Sequence, residues 1–370
     1  DTVEFGGFVP PAGTTAEIDA VTTAVIGQVM FDTDRKGQVR FTGASNYENI
    51  GGLSSSAVIQ VNAGASSAEN GSALAAAYAK AKTLTPNGSA LSTTNRAVLA
   101  VGCGVYSLAS ELLVDADFVD IIGLSNNTRG DADAVKYSVR VEGSTVNVTA
   151  ADVYVNGLHV STSLYCGDNK PLQVFIGCLG ASSSFRTKAG TGTTAGTFIG
   201  CRGGVNCFGC AETASGTFTD CLSGQGGFGG FNLTTAGVAS GTFTRCTVVG
   251  SNGFASSGTA SGTFIDCEAT GQGGFAGANT SFISGTASGV FIRCRATGGD
   301  AFGGFNGTAS GTFRNCEAAA GLGGSYAPSG TVTGEWSYCT MTTGTFPAVT
   351  GAGKMRMCLE EATMTEVNQG

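Results

Sequence analysis

Alternating hydrophobic and polar positions through the second half of the chain follow one short motif, an aromatic residue with a cysteine three positions later. The strongest copies read TFIGC, TFTDC, TFTRC, TFIDC, VFIRC and TFRNC, with weaker ones on either side. The copies end at Cys178, Cys201, Cys221, Cys246, Cys267, Cys294, Cys316, Cys339 and Cys358. They recur every 19 to 27 residues, which is typical of a solenoid with one copy per turn.

A bend is predicted inside each copy. Phe218 and Cys221 are three residues apart and would point to opposite sides of a straight strand, so a corner between them is needed to place both inside. The residue before the cysteine is Gly, Asp or Asn in five copies, and these types tolerate a left-handed or turn conformation. Arg245 and Arg293 fit that position less well.

Two further signals recur in each turn. A small-residue run suited to a tight turn precedes the strong copies, as TASG at 213–216, 259–262, 286–289 and 308–311 and VASG at 238–241. A second aromatic residue follows each cysteine within glycine, at Phe208, Phe228, Phe254, Phe275, Phe302 and Tyr326. Stacked turns would form internal ladders of Phe and Cys, so the fold class expected is all-β, a parallel β-helix.

The N-terminal third has a different pattern. Residues 69–85 combine good helix formers with apolar spacing of i, i+3, i+4 and i+7, which predicts an α-helix that caps the open end of the solenoid. Strand-like runs follow it from Arg96. Two alternating runs around a turn at 32–37 predict a β-hairpin, and the Gly-, Ser- and Ala-rich segment 51–67 is interpreted as a connector.

These elements divide the chain into four parts. Residues 1–55 form an N-terminal attachment and hairpin module, and 56–99 a linker with the capping helix. Residues 100–345 form the parallel β-helix, and 346–370 the last rung and a C-terminal cap.

Composition narrows the function classes. The 370 residues include 60 glycines and only 12% charged residues, which favours a repetitive architecture over an ordinary enzyme. No apolar stretch is long enough to predict a membrane span. The net charge is −8 with scattered Lys and Arg, which argues against a nucleic-acid partner. Most cysteines share one repeat position and are interpreted as buried, reduced thiols.

Charges alternate in sign along two positions of the repeat. Asp220, Arg245, Asp266 and Arg293 precede successive cysteines, and Glu268, Arg295 and Glu317 follow them. Neighbouring rungs would therefore place opposite charges face to face, which specifies the register.

The carboxylates considered for catalysis are Asp220, Asp266, Glu268 and Asp300. Glycoside hydrolysis uses two carboxylates about 5 to 9.5 Å apart, and Asp220 lies two rungs from Asp266, near that range. Arg245 falls between them, so a structural ladder is the favoured interpretation. His159 is the single histidine and is interpreted as a strand residue. No cofactor is predicted.

Cys201, Cys207 and Cys210 end in CFGC, the spacing of a metal knuckle or a redox pair. Core thiols are favoured, with a disulfide or a metal site as alternatives. Phe231 and Phe305, the second aromatics of two glycine-rich loops, are candidates for contacts to a sugar ring or to a neighbouring subunit.

Three segments resemble known families. The helix NGSALAAAYAKAK, the strand and turn VLAVGCGVYSL, and VDIIGL are similar to the opening of pectin-lyase-like right-handed β-helices, and the rungs are similar to that superfamily's repeat. GQVMFDTDRKGQVRFTGASNYENIGG resembles a short module of phage and bacterial tail-fibre proteins. The resemblance implies right-handed coiling and the homotrimer usual for tailspikes.

The function expected from these features is a structural, tailspike-like virion fibre located on a virion or an extracellular surface. Its rigid shaft would bind a surface polysaccharide or another receptor, and residues 1–55 would contact other virion or filament proteins. Two alternatives remain open: a polysaccharide lyase or glycoside hydrolase on the β-helix face, and a cellular surface or extracellular filament protein.

Overall fold

The computed structural model shows an all-β parallel solenoid. The residues that it describes are 12–13, 29–32, 37–43, 46–49, 57–64, 66–124, 139–209, 213–229, 237–250, 252–255, 258–270, 273–276, 285–297, 300–302, 308–318, 331–342, 353–360 and 365–369. The fold class expected from the repeat is therefore confirmed, while its right-handedness stays a prediction.

The aromatic strand of each copy belongs to a first parallel ladder, in which each strand pairs with its counterpart one rung away. Its strands are Val58–Val61, Ala97–Val101, Val119–Gly123, Asp152–Asn156, Leu172–Ile176, Thr197–Ile199, Thr217–Thr219, Thr242–Thr244, Thr263–Ile265, Val290–Ile292, Thr312–Arg314, Glu335–Ser337 and Lys354–Glu360. Phe218 pairs in register with Phe198 and Phe243, so equivalent residues stack. The first of these strands lies within the segment interpreted as a connector.

A second parallel ladder follows the corner. Its strands are Gly104–Ser107, Val139–Glu142, Leu158–Val160, Leu179–Gly180, Arg202–Gly203, Leu222–Ser223, Thr247–Val248, Glu268–Ala269, Arg295–Ala296, Glu317–Ala318 and Thr340–Met341. The remaining side of the coil is built from three shorter parallel sheets. They comprise Leu112–Val114, Val146–Val148 and Leu164–Tyr165; then Thr193–Thr194, Thr213–Ala214, Val238–Ala239, Thr259–Ala260, Thr286–Ala287, Thr308–Ala309 and Thr331–Val332; and Asn252–Phe254, Gly273–Phe275 and Asp300–Phe302.

Every corner residue before a repeat cysteine adopts positive φ, which confirms the predicted bend. The values lie between 50° and 61° from Gly177 to Met357. Arg245 and Arg293 share this left-handed conformation, at 51° and 52°. They had seemed poorly suited to it, since a Cβ disfavours such backbone. The stacked rungs impose one corner geometry on all copies, and this constraint outweighs the local preference of a single residue.

Two aromatic ladders run side by side through the interior, with the ring planes of one nearly perpendicular to those of the other. The repeat aromatics Phe175, Phe198, Phe218, Phe243, Phe264, Phe291, Phe313 and Trp336 stack nearly parallel, with the Phe pairs 4.8 to 5.1 Å apart between centroids. Phe185, Phe208, Phe228, Phe254, Phe275 and Phe302 form the second ladder at 4.7 to 5.1 Å. The two ladders meet edge to face, an arrangement that aromatic quadrupoles favour.

The repeat cysteines form a third internal ladder beside the aromatic ones. From Cys201 to Cys339, each repeat thiol donates to the backbone carbonyl of the Phe one rung earlier, as in Cys246 Sγ to Phe218 O at 3.4 Å and Cys267 Sγ to Phe243 O at 3.4 Å. No disulfide joins two cysteines of the described residues. The predicted burial of the repeat thiols is confirmed for these positions, and their reduced state stays a prediction.

Glycine is required where the small-residue run turns into the next aromatic strand. A Cβ on Gly262 would overlap the carbonyl oxygen of Gly241 in the neighbouring rung, and the same relation holds for Gly289 over Gly262. The tight turn predicted from TASG is therefore a site of close backbone approach between rungs.

The predicted helix is present as α1, Ser67–Ala81, and caps the first rungs. The Ser66 hydroxyl caps the helix by accepting from Glu69 N and also donates to Glu69 Oε2, while Leu74 and Tyr78 are buried against the solenoid. The helix ends earlier than the predicted residue 85, because the Thr83 hydroxyl and backbone both bond back to Lys80 O, and Pro86–Gly88 forms a separate 3-10 turn. None of the described helices is long and apolar enough to cross a membrane.

The predicted hairpin is also confirmed. Val29–Asp32 pairs antiparallel with Gly37–Gly43, which pairs antiparallel with Asn46–Asn49, and Ala12–Gly13 joins in parallel. At the other end of the chain, Thr365–Gln369 runs antiparallel to the last strand of the first ladder.

Candidate functional site

The corner carboxylates are engaged by arginines on the neighbouring rungs. Arg245 forms a two-pronged pair with Asp220, at 2.6 Å from Nε and 2.8 Å from Nη2, and Arg293 pairs with Asp266 at the same two distances. The hydrogen bond from the arginine lowers the pKa of Asp220, and likewise the pKa of Asp266. Both carboxylates are thus held ionised by a fixed cation.

The column after the cysteines shows the same alternation. Arg295 lies between Glu268 and Glu317, with an oxygen of each carboxylate 3.1 Å from a guanidinium nitrogen. The predicted inter-rung pairing is therefore present in both columns. Asp300 is the first residue of the strand Asp300–Phe302, and only its backbone is described.

This arrangement is poorly matched to glycoside hydrolysis. A general acid for that reaction needs a raised pKa, whereas the arginine beside Asp220 or Asp266 lowers it. Arg245 also lies between these two aspartates, as the repeat predicted. The geometry supports a structural role for the pairs.

Other acidic residues near the first rungs also hold structure together. Arg96 donates to Asp120 at 2.6 and 2.7 Å and to Asp152 at 2.8 Å, which links three successive rungs. Asp168 accepts a hydrogen bond from the backbone of Thr193 at 2.8 Å. His159 is half-buried in the strand Leu158–Val160, and burial lowers its pKa.

Two of the three cysteines considered for a metal or redox site lie among the described residues. Cys201 and Cys207 are buried, and Cys207 Sγ donates to Ala181 O at 3.3 Å. Cys210 lies outside the described residues, as do the two candidate contact aromatics Phe231 and Phe305. Across the described ranges, no group of three His, Cys, Asp or Glu side chains is arranged to hold a metal ion.

A groove at the C-terminal end of the first ladder was not predicted. It encloses about 520 Å³. Its lining residues are Thr312, Arg314, Asn315, Glu335, Trp336, Ser337, Tyr338, Lys354 and Arg356. They come from three consecutive rungs. In the register of these strands, Ser337 lies opposite Arg314 on one side and Arg356 on the other, and Glu335 lies opposite Lys354.

The groove combines cations with an aromatic side chain. Arg314, Lys354 and Arg356 are exposed, and Tyr338 is 58% exposed at a corner position with φ of 55°. The signal for this site was present in the last three copies, TFRNC, EWSYC and KMRMC, at the positions on either side of the aromatic residue or of Met355. Those positions face outward, whereas the repeat is defined by its inward and corner positions.

No protein-family model matches the chain, and no curated protein matches it either. Among solved structures, ORF18 of Geobacillus virus E2 matches with 9% sequence identity and a TM-score of 0.37, over 95% of this chain and 74% of that one. A likeness of this degree carries no information about family or function. The resemblance to pectin-lyase-like β-helices stays a prediction.

Proposed function

We propose that this protein is the shaft of a virion fibre or tailspike-like assembly that recognises a surface glycan. The observation that supports this most is the unbroken core: two aromatic ladders and a thiol ladder run from rung to rung, and corner charges pair outside them. Each rung is held by its neighbours through packing, backbone hydrogen bonds and ion pairs, which makes a stiff rod.

The N-terminal sheet supports the attachment part of the proposal. The hairpin Val29–Asp32 with Gly37–Gly43 forms at the position where the chain resembles tail-fibre modules. We propose that residues 1–55 contact other virion proteins and that the shafts associate as a homo-oligomer, with a trimer as the state implied by the resemblance.

Electron microscopy of the purified full-length protein, and of native particles, tests the proposal. We expect rod-shaped oligomers that attach to a larger particle at one end. Dispersed monomers at high concentration, with no particle association, would overturn it. Filaments on a cell surface would instead favour a cellular matrix protein.

The enzymatic alternative is tested separately, by incubating the protein with polysaccharides and measuring released oligosaccharides. A shaft whose corner carboxylates are paired with arginine releases none. Release that is lost in Asp266→Asn, but kept in Glu268→Gln, would establish a depolymerase in its place.

A further inference from the structure

The outward side chains of the first ladder change character at its C-terminal end. Through the middle rungs these positions are uncharged and β-branched, namely Thr217, Thr219, Thr242, Thr244, Thr263, Ile265, Val290 and Ile292. In the last three rungs they become Thr312 and Arg314, then Glu335 and Ser337, then Lys354 and Arg356. From Val174 to Ile292 these outward positions are uncharged, and charge returns to this face where the groove lies.

The parallel register places the three cations close together. Arg314 and Arg356 occupy the same column with Ser337 between them, so their backbones are two rungs, or about 10 Å, apart. Lys354 lies two residues before Arg356 on the same side of its strand, about 7 Å away. One carboxylate, Glu335, neighbours Lys354.

These cations differ from the arginines of the corner columns. Arg245, Arg293 and Arg295 each form ion pairs with a carboxylate on an adjacent rung. Arg314, Lys354 and Arg356 form none with any residue that the structure describes. Three cations against one carboxylate leave a positive groove on a protein of net charge −8. Such a local reversal of charge favours an anionic ligand.

The remaining lining residues suit a sugar ring. Tyr338 offers an exposed ring with a polar hydroxyl, next to Asn315 in the corner column, and Ser337 and Thr312 add hydroxyl groups. Arginine forks match the planar geometry of a carboxylate and also bind sulfate oxygens. Glu335 can accept hydrogen bonds from sugar hydroxyls.

We propose that this groove binds a saccharide whose ring carries a carboxylate or a sulfate group. The inference rests on the proposed glycan recognition and names its site and ligand class. Arg314 and Arg356 bind the anionic group, and Tyr338 packs against the ring.

Isothermal titration calorimetry of the full-length protein tests this with three probes: oligogalacturonate, a sulfated galactan oligosaccharide, and neutral dextran oligosaccharide. We expect one or both anionic probes to bind and the neutral one not to bind. The probe that binds distinguishes carboxylate from sulfate. Raising NaCl from about 0.01 to about 0.15 M shortens the Debye length from about 30 to about 8 Å and weakens binding.

The double variant Arg314→Gln/Arg356→Gln is expected to lose at least about tenfold in affinity, because charge-assisted hydrogen bonds are removed. Arg293→Gln/Arg295→Gln is the matched control: it changes net charge equally, outside the groove, and should bind as the wild type does. Tyr338→Asn removes the ring and keeps a residue suited to positive φ. It should weaken binding while circular dichroism remains that of the wild type.

Two results would overturn the inference. One is equal binding of neutral and anionic probes, unaffected by the groove variants, which leaves glycan recognition intact at another place. The other is no binding of any probe by a folded wild-type protein. In that second case the shaft proposal is still decided by the microscopy, which does not depend on the groove.

Discussion

Phe243 shows how one residue contributes to this core. Its ring stacks on Phe218 at 4.9 Å and on Phe264 at 4.8 Å, and it is fully buried. Phe243→Ala is expected to destabilise its rungs by about 3 to 5 kcal/mol from lost burial and the cavity. Hydrogen exchange with mass spectrometry should show faster exchange in the peptides around residues 218–265.

Thr244→Ala is the control for Phe243→Ala. Thr244 lies on the outward side of the same strand, so its truncation should change stability by less than about 0.5 kcal/mol. Equal exchange in the two variants would contradict the central role of the aromatic ladder.

Exposed and buried cysteines should differ sharply in their rate of alkylation. Cys103 is exposed, whereas Cys246 is fully buried and its burial raises the pKa of the thiol. Since the thiolate is the reactive form, iodoacetamide at pH 8 should label Cys103 and leave Cys246 unmodified until denaturant is added. Peptide mass spectrometry measures both sites in one sample. Rapid native labelling of Cys246 would show that the ladder opens readily.

Inward and corner residues were predictable from sequence because packing forces them to repeat. An aromatic residue and a cysteine three positions later recur in every strong copy, and the residue before the cysteine alternates in sign from Asp220 to Arg293, so the core, the bend and the charge pairing could be inferred. The outward residues Arg314 and Lys354 are under no such constraint. Their proximity depends on the register of three rungs, which variable insertions obscure in the sequence.

The capping helix α1 is tied to the solenoid through a buried phenol. The Tyr78 hydroxyl accepts hydrogen bonds from the backbone of Asp115 at 2.8 Å and Ala116 at 3.0 Å. Burial raises its pKa from 10.0 to about 12. The folded form therefore keeps the proton that the unfolded form loses above pH 10, so this stabilisation is complete below pH 10 and is lost as pH rises toward 12.

Thermal midpoints between pH 9 and pH 12 test this dependence. The wild type should lose stability steeply over that range. Tyr78→Phe should be less stable at pH 8, since the two backbone groups lose their acceptor, but its midpoint should fall less between pH 10 and pH 12. Parallel curves for the two proteins would show that another group controls alkaline unfolding.

Arg96 links elements that are distant in sequence. It holds Asp120 and Asp152 on two successive rungs, and Asp120 is only 8% exposed. Arg96→Met leaves these carboxylates without their cation, and we expect a loss of about 1 to 3 kcal/mol in unfolding free energy. Lys82→Met, which breaks the exposed pair with Asp115, is the control and should have little effect. Chemical denaturation followed by tyrosine fluorescence measures both.

At the scale of the whole molecule, the strands Val58–Val61 and Lys354–Glu360 lie at opposite ends of one continuous ladder. The helix covers one end and the strand Thr365–Gln369 pairs with the other. Nothing in the repeat itself limits the number of rungs, and the ends are closed by elements outside the repeat. The first strand was missed because it precedes the helix and carries no aromatic or cysteine.

Deleting whole copies tests what sets the register. Removal of residues 242–262 joins Gly241 to Thr263 and places Asp220 directly beside Asp266. Removal of residues 242–289 joins Gly241 to Val290 and places Asp220 beside Arg293. We expect the shorter protein to have the higher thermal midpoint at pH 7, because two aspartates repel each other in the longer one. Lowering the pH to 4 should narrow the difference between the two thermal midpoints, because aspartates that are partly protonated repel each other less.

The sign alternation at the corner thus imposes a parity on the length of the rod. Loss of the Arg245 rung or of the Asp266 rung alone brings like charges together, whereas loss of both leaves Asp220 beside Arg293. We therefore expect the solenoid to lose less stability when two neighbouring rungs are removed here than when one is removed.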